Sequence, residues 1–284
     1  MKHFFLIANQ AKDPEEIYTR RIVAYLQAHG AQITCVDEEK LLEQTKADPD
    51  EAECALVLGG DGTLLQAARD MLGRNIPLIG INLGTLGYLA EVELANLEEA
   101  LDKLLEDEYI REERMMLAGR IHRGEAESEG AEEENYALND IVISRCGSLQ
   151  ILKFHIYVNG QFLNTYSADG MIVATPTGST GYNLSAGGPI VEPGARLLLL
   201  TPICPHTLNT RSIVLSAEDE IVIEIPEGRD GHEQSVEANF DGSHKVTLKT
   251  GDRIEISKAV KTTGILKLNT ESFLTVLHKK MSES

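Results

Sequence analysis

Short apolar runs alternate with helical stripes over the first third of the chain. HFFLIA (3–8) reads as a buried strand. Asp13-Pro14 reads as an N-cap followed by proline at the first helical position, and Tyr18, Ile22 and Leu26 then form one apolar stripe that Gly30 closes. AQITCV and CALVLGG are the next strand candidates, followed by a helix from about Thr63. PLIGIN (77–82) is a further strand, and Leu97, Leu101, Leu104 and Leu105 stripe another helix. Strand and helix in alternation predict an α/β domain with a mostly parallel sheet and helices on its faces.

Near residue 112 the pattern changes. ERMMLAGRIHR, NYALNDIVISR, LQILKFHIYVNG, DEIVIEIPE, RIEISKAV and GILKLN all read as strands. Several alternate with period two: Ile221, Ile223 and Ile225 point one way, Val222 and Glu224 the other. Asn159-Gly160 and Asp241-Gly242 carry the signature of tight hairpin turns. The expected organisation is an α/β domain over 1–112 and a β-rich domain over 113–265. Within 266–284, TESFLTVLHKKM has the composition of a terminal helix. GEAESEGAEEENY (124–136) is too acidic to bury and reads as a solvated hairpin loop.

Composition narrows the function. The chain of 284 residues is 42% hydrophobic with a formal net charge of −19. That charge repels nucleic acid and anionic membrane surfaces, and no apolar stretch approaches the length needed to span a bilayer. Cys35, Cys54, Cys146 and Cys204 form no CxxC pair, so no zinc site is expected and reduced thiols in a soluble cytoplasmic protein are the simplest reading.

Three glycine clusters carry the candidate chemistry. In LVLGGDGTLL a strand runs into Gly59-Gly60-Asp61-Gly62-Thr63 and on into a helix, the usual geometry for cradling a phosphate. It matches neither GxGxxG nor GxxxxGK[ST], because a carboxylate stands where a lysine is customary. Asp61 could sit beside a phosphate-bridging metal ion, accept a proton from an attacking hydroxyl, or simply bond its own turn. INLGTLGYLAE again places glycines after a strand and brings Tyr88 near them. The densest cluster, DGMIVATPTGSTGYNLSAGGPIVEPG, ends a strand in Thr177-Gly178-Ser179-Thr180-Gly181-Tyr182-Asn183, with amides, hydroxyls and one ring able to stack on a planar base. Asn139-Asp140 in NYALNDIVIS is a costly pair at the entry of an apolar strand, and a carboxylate bonding ribose hydroxyls would explain it. His206 and His244 read as turn or surface histidines.

GGDGTLL, NLGTLGYL, ALNDIVI, DGMIVATPTGSTGYNLSAGGPIV and TPICPHTL stand in the order found in the NAD kinase family, and the chain resembles that family from about residue 55 to 215. GGDGT alone is shared with diacylglycerol kinases, sphingosine kinases and phosphofructokinases; TPTGSTGYN with its downstream GGP is far more specific. The resemblance implies transfer of the terminal phosphate of ATP to the 2′-hydroxyl of the adenosine ribose of NAD, with a divalent ion, normally magnesium, accompanying ATP. It implies that Asp61 is the proton acceptor and that Gly60, Gly62 and Thr63 lie next to the phosphates. Asn139 and Asp140 would contact the adenosine and Asp169 the nicotinamide end. Thr180, Gly181, Tyr182, Asn183 and Ser185 would form the dinucleotide pocket, with Tyr88 near it. No side-chain set is assigned to a metal. The family fold implies that 266–284 packs back on the first domain, and family members are homodimers or homotetramers. Asp140, Gly181, Tyr88 and Ser243 depart from the residues commonest in the family at those places. The alternatives are a lipid or sugar kinase of the wider GGDGT group, which would want a basic amphipathic surface, and a non-catalytic NAD-binding sensor, which could dispense with Asp61.

Overall fold

The computed structural model describes residues 1–37, 52–84, 87–124, 133–147, 151–207, 211–228, 231–269 and 271–282. Most of the acidic run, 125–132, lies outside the described residues. The chain divides into two compact units, Met1–Arg114 with Thr262–Ser284, and Met115–Lys261. In chain order the elements are β1 (His3–Ala8), α1 (Ile17–Ala28), β2 (Gln32–Asp37), β3 (Cys54–Gly59), α2 (Asp61–Asp70), β4 (Leu78–Asn82), β5 (Val92–Glu93), α3 (Leu97–Leu105) and β6 (Ile110–Arg114). The second unit contributes β7 (Leu117–His122), β8 (Glu133–Ala137), β9 (Asp140–Arg145), β10 (Leu152–Val158), β11 (Gln161–Ala168), β12 (Gly170–Ala174) and α4 (Tyr182–Ser185). It continues with β13 (Leu197–Ile203), β14 (Ile213–Ser216), β15 (Ile221–Glu224), β16 (Ser235–Phe240), β17 (His244–Lys249) and β18 (Arg253–Lys258). β19 (Thr263–Lys267) and α5 (Phe273–Ser282) end the chain.

The first unit is built on a seven-stranded sheet of order β2-β1-β3-β4-β19-β6, with β5 also paired to β4. Every pairing but one is parallel; β19 and β6 run antiparallel. Every residue of β3 and β4 is buried, as expected where helices cover both faces of a parallel sheet. On one face Phe4, Leu6, Leu56 and Leu58 pack with Ile22 and Leu26 of α1 and with Leu97, Leu101 and Leu104 of α3, so both helical stripes face the sheet.

Helix α1 differs in one detail from the sequence reading. It begins at Ile17, with Glu16 in a left-handed turn (φ 54°) just before it. Asp13 is buried and still serves the helix start, accepting from the Tyr18 and Thr19 amides (3.3 and 2.9 Å) and the Thr19 hydroxyl (2.7 Å). The turn at Glu16 folds the chain back, so the cap comes from three residues earlier.

The second unit is a sandwich of two antiparallel six-stranded sheets, β11-β10-β15-β18-β7-β8 and β14-β13-β12-β9-β16-β17. Phe154, Ile156, Ile221, Ile223 and Ile254 of the first share a core with Ile141, Ile143, Met171, Val173 and Phe240 of the second. Val142, Ile172, Ala174 and Leu199 point the other way, against Ala186 and Val191. Both hairpin signals hold. Asn159 and Gly160 (φ 50° and 74°) join β10 to β11, and Asp241 and Gly242 (φ 50° and 73°) join β16 to β17, which is the left-handed pair that a type I′ turn needs.

Two apparent strands are each broken in two. ERMMLAGRIHR divides between β6 and β7, which lie in different sheets, and NYALNDIVISR divides at Leu138-Asn139 between β8 and β9. GILKLN pairs as β19 within the first unit, although its alternation looks like that of the second.

Candidate functional site

Three strand ends of the first unit come together. Ala8 aligns with Leu58, and Gly59 aligns with Asn82, so β1, β3 and β4 finish at one edge of the sheet. Open parallel sheets bind ligands at this carboxyl edge. Gly60 is extended and Asp61 opens α2 directly after it, putting the turn at the positive end of the helix dipole. Thr63 is buried beneath Gly59, and its hydroxyl accepts a hydrogen bond from Asn9 Nδ2 at 3.1 Å. Asn82 braces the neighbouring turn: its Nδ2 donates to the Gly84 carbonyl (2.9 Å) and its Oδ1 accepts from the Gly84 amide (3.0 Å).

The Asp61 carboxylate does not bond its own turn. It reaches the segment that follows the next glycine cluster, between β4 and β5, where Oδ2 accepts from the Tyr88 amide at 2.9 Å and Oδ1 from the Leu89 and Ala90 amides at 3.4 and 3.3 Å. Gly87 lies so close to that carboxylate that any side chain there would collide with it. An ionised carboxylate has roughly four lone-pair sites, so three amide contacts leave it room to accept one more proton donor. The Tyr88 ring carries the Lys280 ammonium of α5 over it, 5.6 Å from the centroid.

The second unit assembles a separate cluster. Asn139 and Asp140 occupy the break between β8 and β9, and one carboxylate holds that break. Asp241 Oδ2 accepts from the Leu138 amide (2.9 Å), and its Oδ1 accepts from the Asn139 and Asp140 amides (2.8 and 3.2 Å). Asp140 is buried; burial first, and then the charge of Asp241, push its carboxyl up to about 7. Asn139 Oδ1 is buried without a hydrogen-bond partner among the described residues. The Thr177–Thr180 turn lies against this pair: Gly178 touches the Asn139 carbonyl, and a Cβ at Gly181 would stand 3.5 Å from Asn139 Nδ2 and 3.7 Å from an Asp140 oxygen.

Within the TPTGSTGYN segment the side chains divide by exposure. Tyr182 and Ser185 are exposed, and Thr180 and Gly181 are half-buried. Asn183 is fully buried; it donates to the Ser179 and Pro189 carbonyls (both 3.1 Å) and accepts from the Thr201 hydroxyl (2.7 Å), which fixes the turn that presents Tyr182. Asp169 lies at the other end of β12, paired with Arg145 at 3.3 Å and with His206 Nε2 at 3.9 Å. Five residues of strand separate it from the Asp140 end, about 16 Å at the usual rise.

No sequence motif marks Lys12, Asn9 or Arg145, and Asp241 stands out in the sequence only as half of a turn signal. Among the described residues no group of three or more His, Cys, Asp or Glu could hold a metal ion.

Comparison with known proteins decides the family. The ATP-NAD kinase N-terminal domain model matches residues 4–109, and the C-terminal domain model matches 138–268. The chain belongs to the ATP-NAD kinase family. An NAD kinase of Lachnospira eligens is 45% identical over 297 residues, covering 99% of this chain and all of the relative. One from Agathobacter rectalis is 49% identical over 289 residues, covering 99% of each. Among solved structures, that of an Archaeoglobus fulgidus NAD kinase in complex with ATP superimposes with a TM-score of 0.77 at 26% identity, covering 99% of both chains.

Proposed function

We infer that the chain carries the activity of its family, transfer of the terminal phosphate of ATP to the 2′-hydroxyl of the adenosine ribose of NAD. It is an alcohol-directed phosphotransferase, and the family models matching both halves of the chain support it over the wider GGDGT kinases. The observation that carries the residue-level reading is Asp61, fixed at the first turn of α2 by three amides. The amides of Gly60 and Gly62, with Thr63 supporting the turn, take the donor phosphates. Asp61 receives the proton of the ribose hydroxyl. The ribose oxygen bonds to the terminal phosphorus as the bond from that phosphorus to the bridging oxygen breaks, and ADP leaves.

In the second unit the orphaned Asn139 Oδ1 is an acceptor suited to an adenine amino group, and Asp140 accepts ribose hydroxyls. Tyr182 borders a planar ring, with Thr180, Gly181 and Ser185 forming its surround and the buried Asn183 holding the turn that presents them. Asp169, a strand's length away, suits the nicotinamide end of an extended dinucleotide. Tyr88 and the Gly87–Ala90 segment keep Asp61 in place. Magnesium keeps several waters and binds largely through substrate phosphates; among the described residues no side-chain cluster would hold it, so an ion arriving on ATP would be carried by the phosphates and would neutralise their charge, leaving Asp61 free to accept the proton. The same reading puts the chain in the cytoplasm, which its free cysteines support. It also makes the chain a homodimer or homotetramer, supported by the edge strand β11, which exposes Phe162 and Leu163. Incubation with ATP, magnesium and NAD, followed by assay with an NADP-specific dehydrogenase, tests the activity: NADP is the expected product, and its absence would refute the reading.

A further inference from the structure

The carboxyl edge of the first sheet holds a cation that the glycine motifs do not supply. Lys12 follows β1 and is exposed, and it forms no ion pair among the described residues. Its ammonium reaches across the Gly60 turn: a Cβ on Gly60 would lie 2.6 Å from Lys12 Nζ, and one on Gly84 would lie 4.0 Å from it. The two glycine turns at the ends of β3 and β4 therefore share one amine. The backbone beneath it is fixed. The Lys12 amide donates to the Asn9 carbonyl (3.0 Å) and to Asn9 Oδ1 (3.2 Å), and Asn9 Nδ2 is the group that reaches Thr63. Asp13, the next residue, is buried and anchors the start of α1.

A phosphate loop that carries an aspartate needs positive charge from elsewhere. The chain as a whole is strongly acidic, so its long-range field opposes a triphosphate, and only a local cation can offset that. Amides at a helix start supply partial charge, whereas an ammonium supplies a full one and three donors on a flexible stem. We propose that Lys12 is the donor-side phosphate ligand of this enzyme, its ammonium bonding the terminal phosphates of ATP over the Gly60 and Gly84 turns. The proposal rests on the assignment of the Gly60–Asp61 turn to ATP phosphates made above. Lys12 takes no proton and forms no bond; it holds the phosphoryl group in place and balances charge as the bond to the leaving oxygen breaks.

Calorimetry with inorganic tripolyphosphate as the probe tests the site without depending on turnover. Lys12→Met should weaken binding by ~10- to 100-fold, the size of one lost charge-assisted hydrogen bond. Lys12→Arg should recover part of the loss, and all three proteins should share a melting temperature. In the coupled assay Lys12→Met should raise the KM for ATP and leave the KM for NAD unchanged. Equal tripolyphosphate affinity in wild type and Lys12→Met would overturn the proposal, as would a loss that falls on both substrates alike and that arginine does not relieve. A wild type that makes no NADP yet binds tripolyphosphate through Lys12 would refute the proposed activity while leaving this site standing.

Discussion

The Tyr88 amide lies 2.9 Å from a carboxylate oxygen of Asp61, across 27 residues of chain. That bond ties the first glycine cluster to the second. The aspartate of GGDGT is thereby aimed by the segment between β4 and β5 rather than by its own turn, and the position of Gly87–Ala90 becomes part of the geometry of the proposed site.

Gly87 tests this coupling. The Asp61 carboxylate rests against it, so Gly87→Ala must move the carboxylate or the segment. Displacing a reacting group by about 1 Å costs roughly 10²-fold in rate. The variant is expected to lose turnover on that scale while retaining NAD affinity in calorimetry, because Asn139, Asp140 and Tyr182 are untouched. Wild-type turnover in Gly87→Ala would contradict the coupling.

Asp140 gives the second unit a pH dependence. Its folded-state value, about 7, lies above the ordinary 3.8, so the neutral carboxyl is the form that folding favours. The stability it contributes is complete below the ordinary value. It is lost as pH rises through about 7, by about 1.4 kcal/mol for each pH unit between the two values. Melting temperature should therefore fall from pH 5 to pH 8 in wild type and fall less in Asp140→Asn.

The same titration should act on NAD in the opposite direction. Under the proposed assignment ribose hydroxyls would bond the ionised carboxylate, so apparent affinity would scale with the ionised fraction and should rise roughly tenfold between pH 6 and pH 8. Asp140→Asn should bind more weakly and show a flat profile. A wild-type affinity independent of pH over that range would count against the ribose assignment.

Tyr182 exposes its ring beside a turn that Asn183 holds rigid. Tyr182→Phe keeps the ring and should hold NAD affinity within about twofold, whereas Tyr182→Ala should lose roughly 0.5–1.5 kcal/mol, the increment of an aromatic pair. Calorimetric titration of NAD ranks the two variants, and a larger loss in Tyr182→Phe would reject stacking.

What the sequence discloses follows from how local each determinant is. HFFLIA and CALVLG read as buried strands because the apolar run is itself the cause of burial, and the alternation of Ile221, Ile223 and Ile225 likewise records one face of a sandwich. Asn159-Gly160 and Asp241-Gly242 are legible because few other pairs tolerate two left-handed residues. The breaks in ERMMLAGRIHR and NYALNDIVISR are not legible, since the pairing partners of β6, β7, β8 and β9 decide them and those lie far away in sequence. β19 hides for the same reason: Ile265 pairs with Leu78 of β4, a strand formed far earlier in the chain. At the candidate site, glycine motifs announce the turns, but Lys12 and the Asp241 carboxylate reach their places only through the fold, Asp241 across 101 to 103 residues.

The proposed mechanism turns on Asp61, and the most direct measurement is the turnover of Asp61→Asn with saturating ATP, magnesium and NAD, read as NADP formed. Asparagine is nearly isosteric, and its single oxygen can still meet the Tyr88 amide, so the fold and NAD binding should persist. Loss of a general base typically costs ~10²–10⁴ in rate. The expected result is a fall in kcat of that size, with NAD affinity in calorimetry unchanged; a variant that retained half or more of the wild-type turnover would contradict the role of Asp61 as the base.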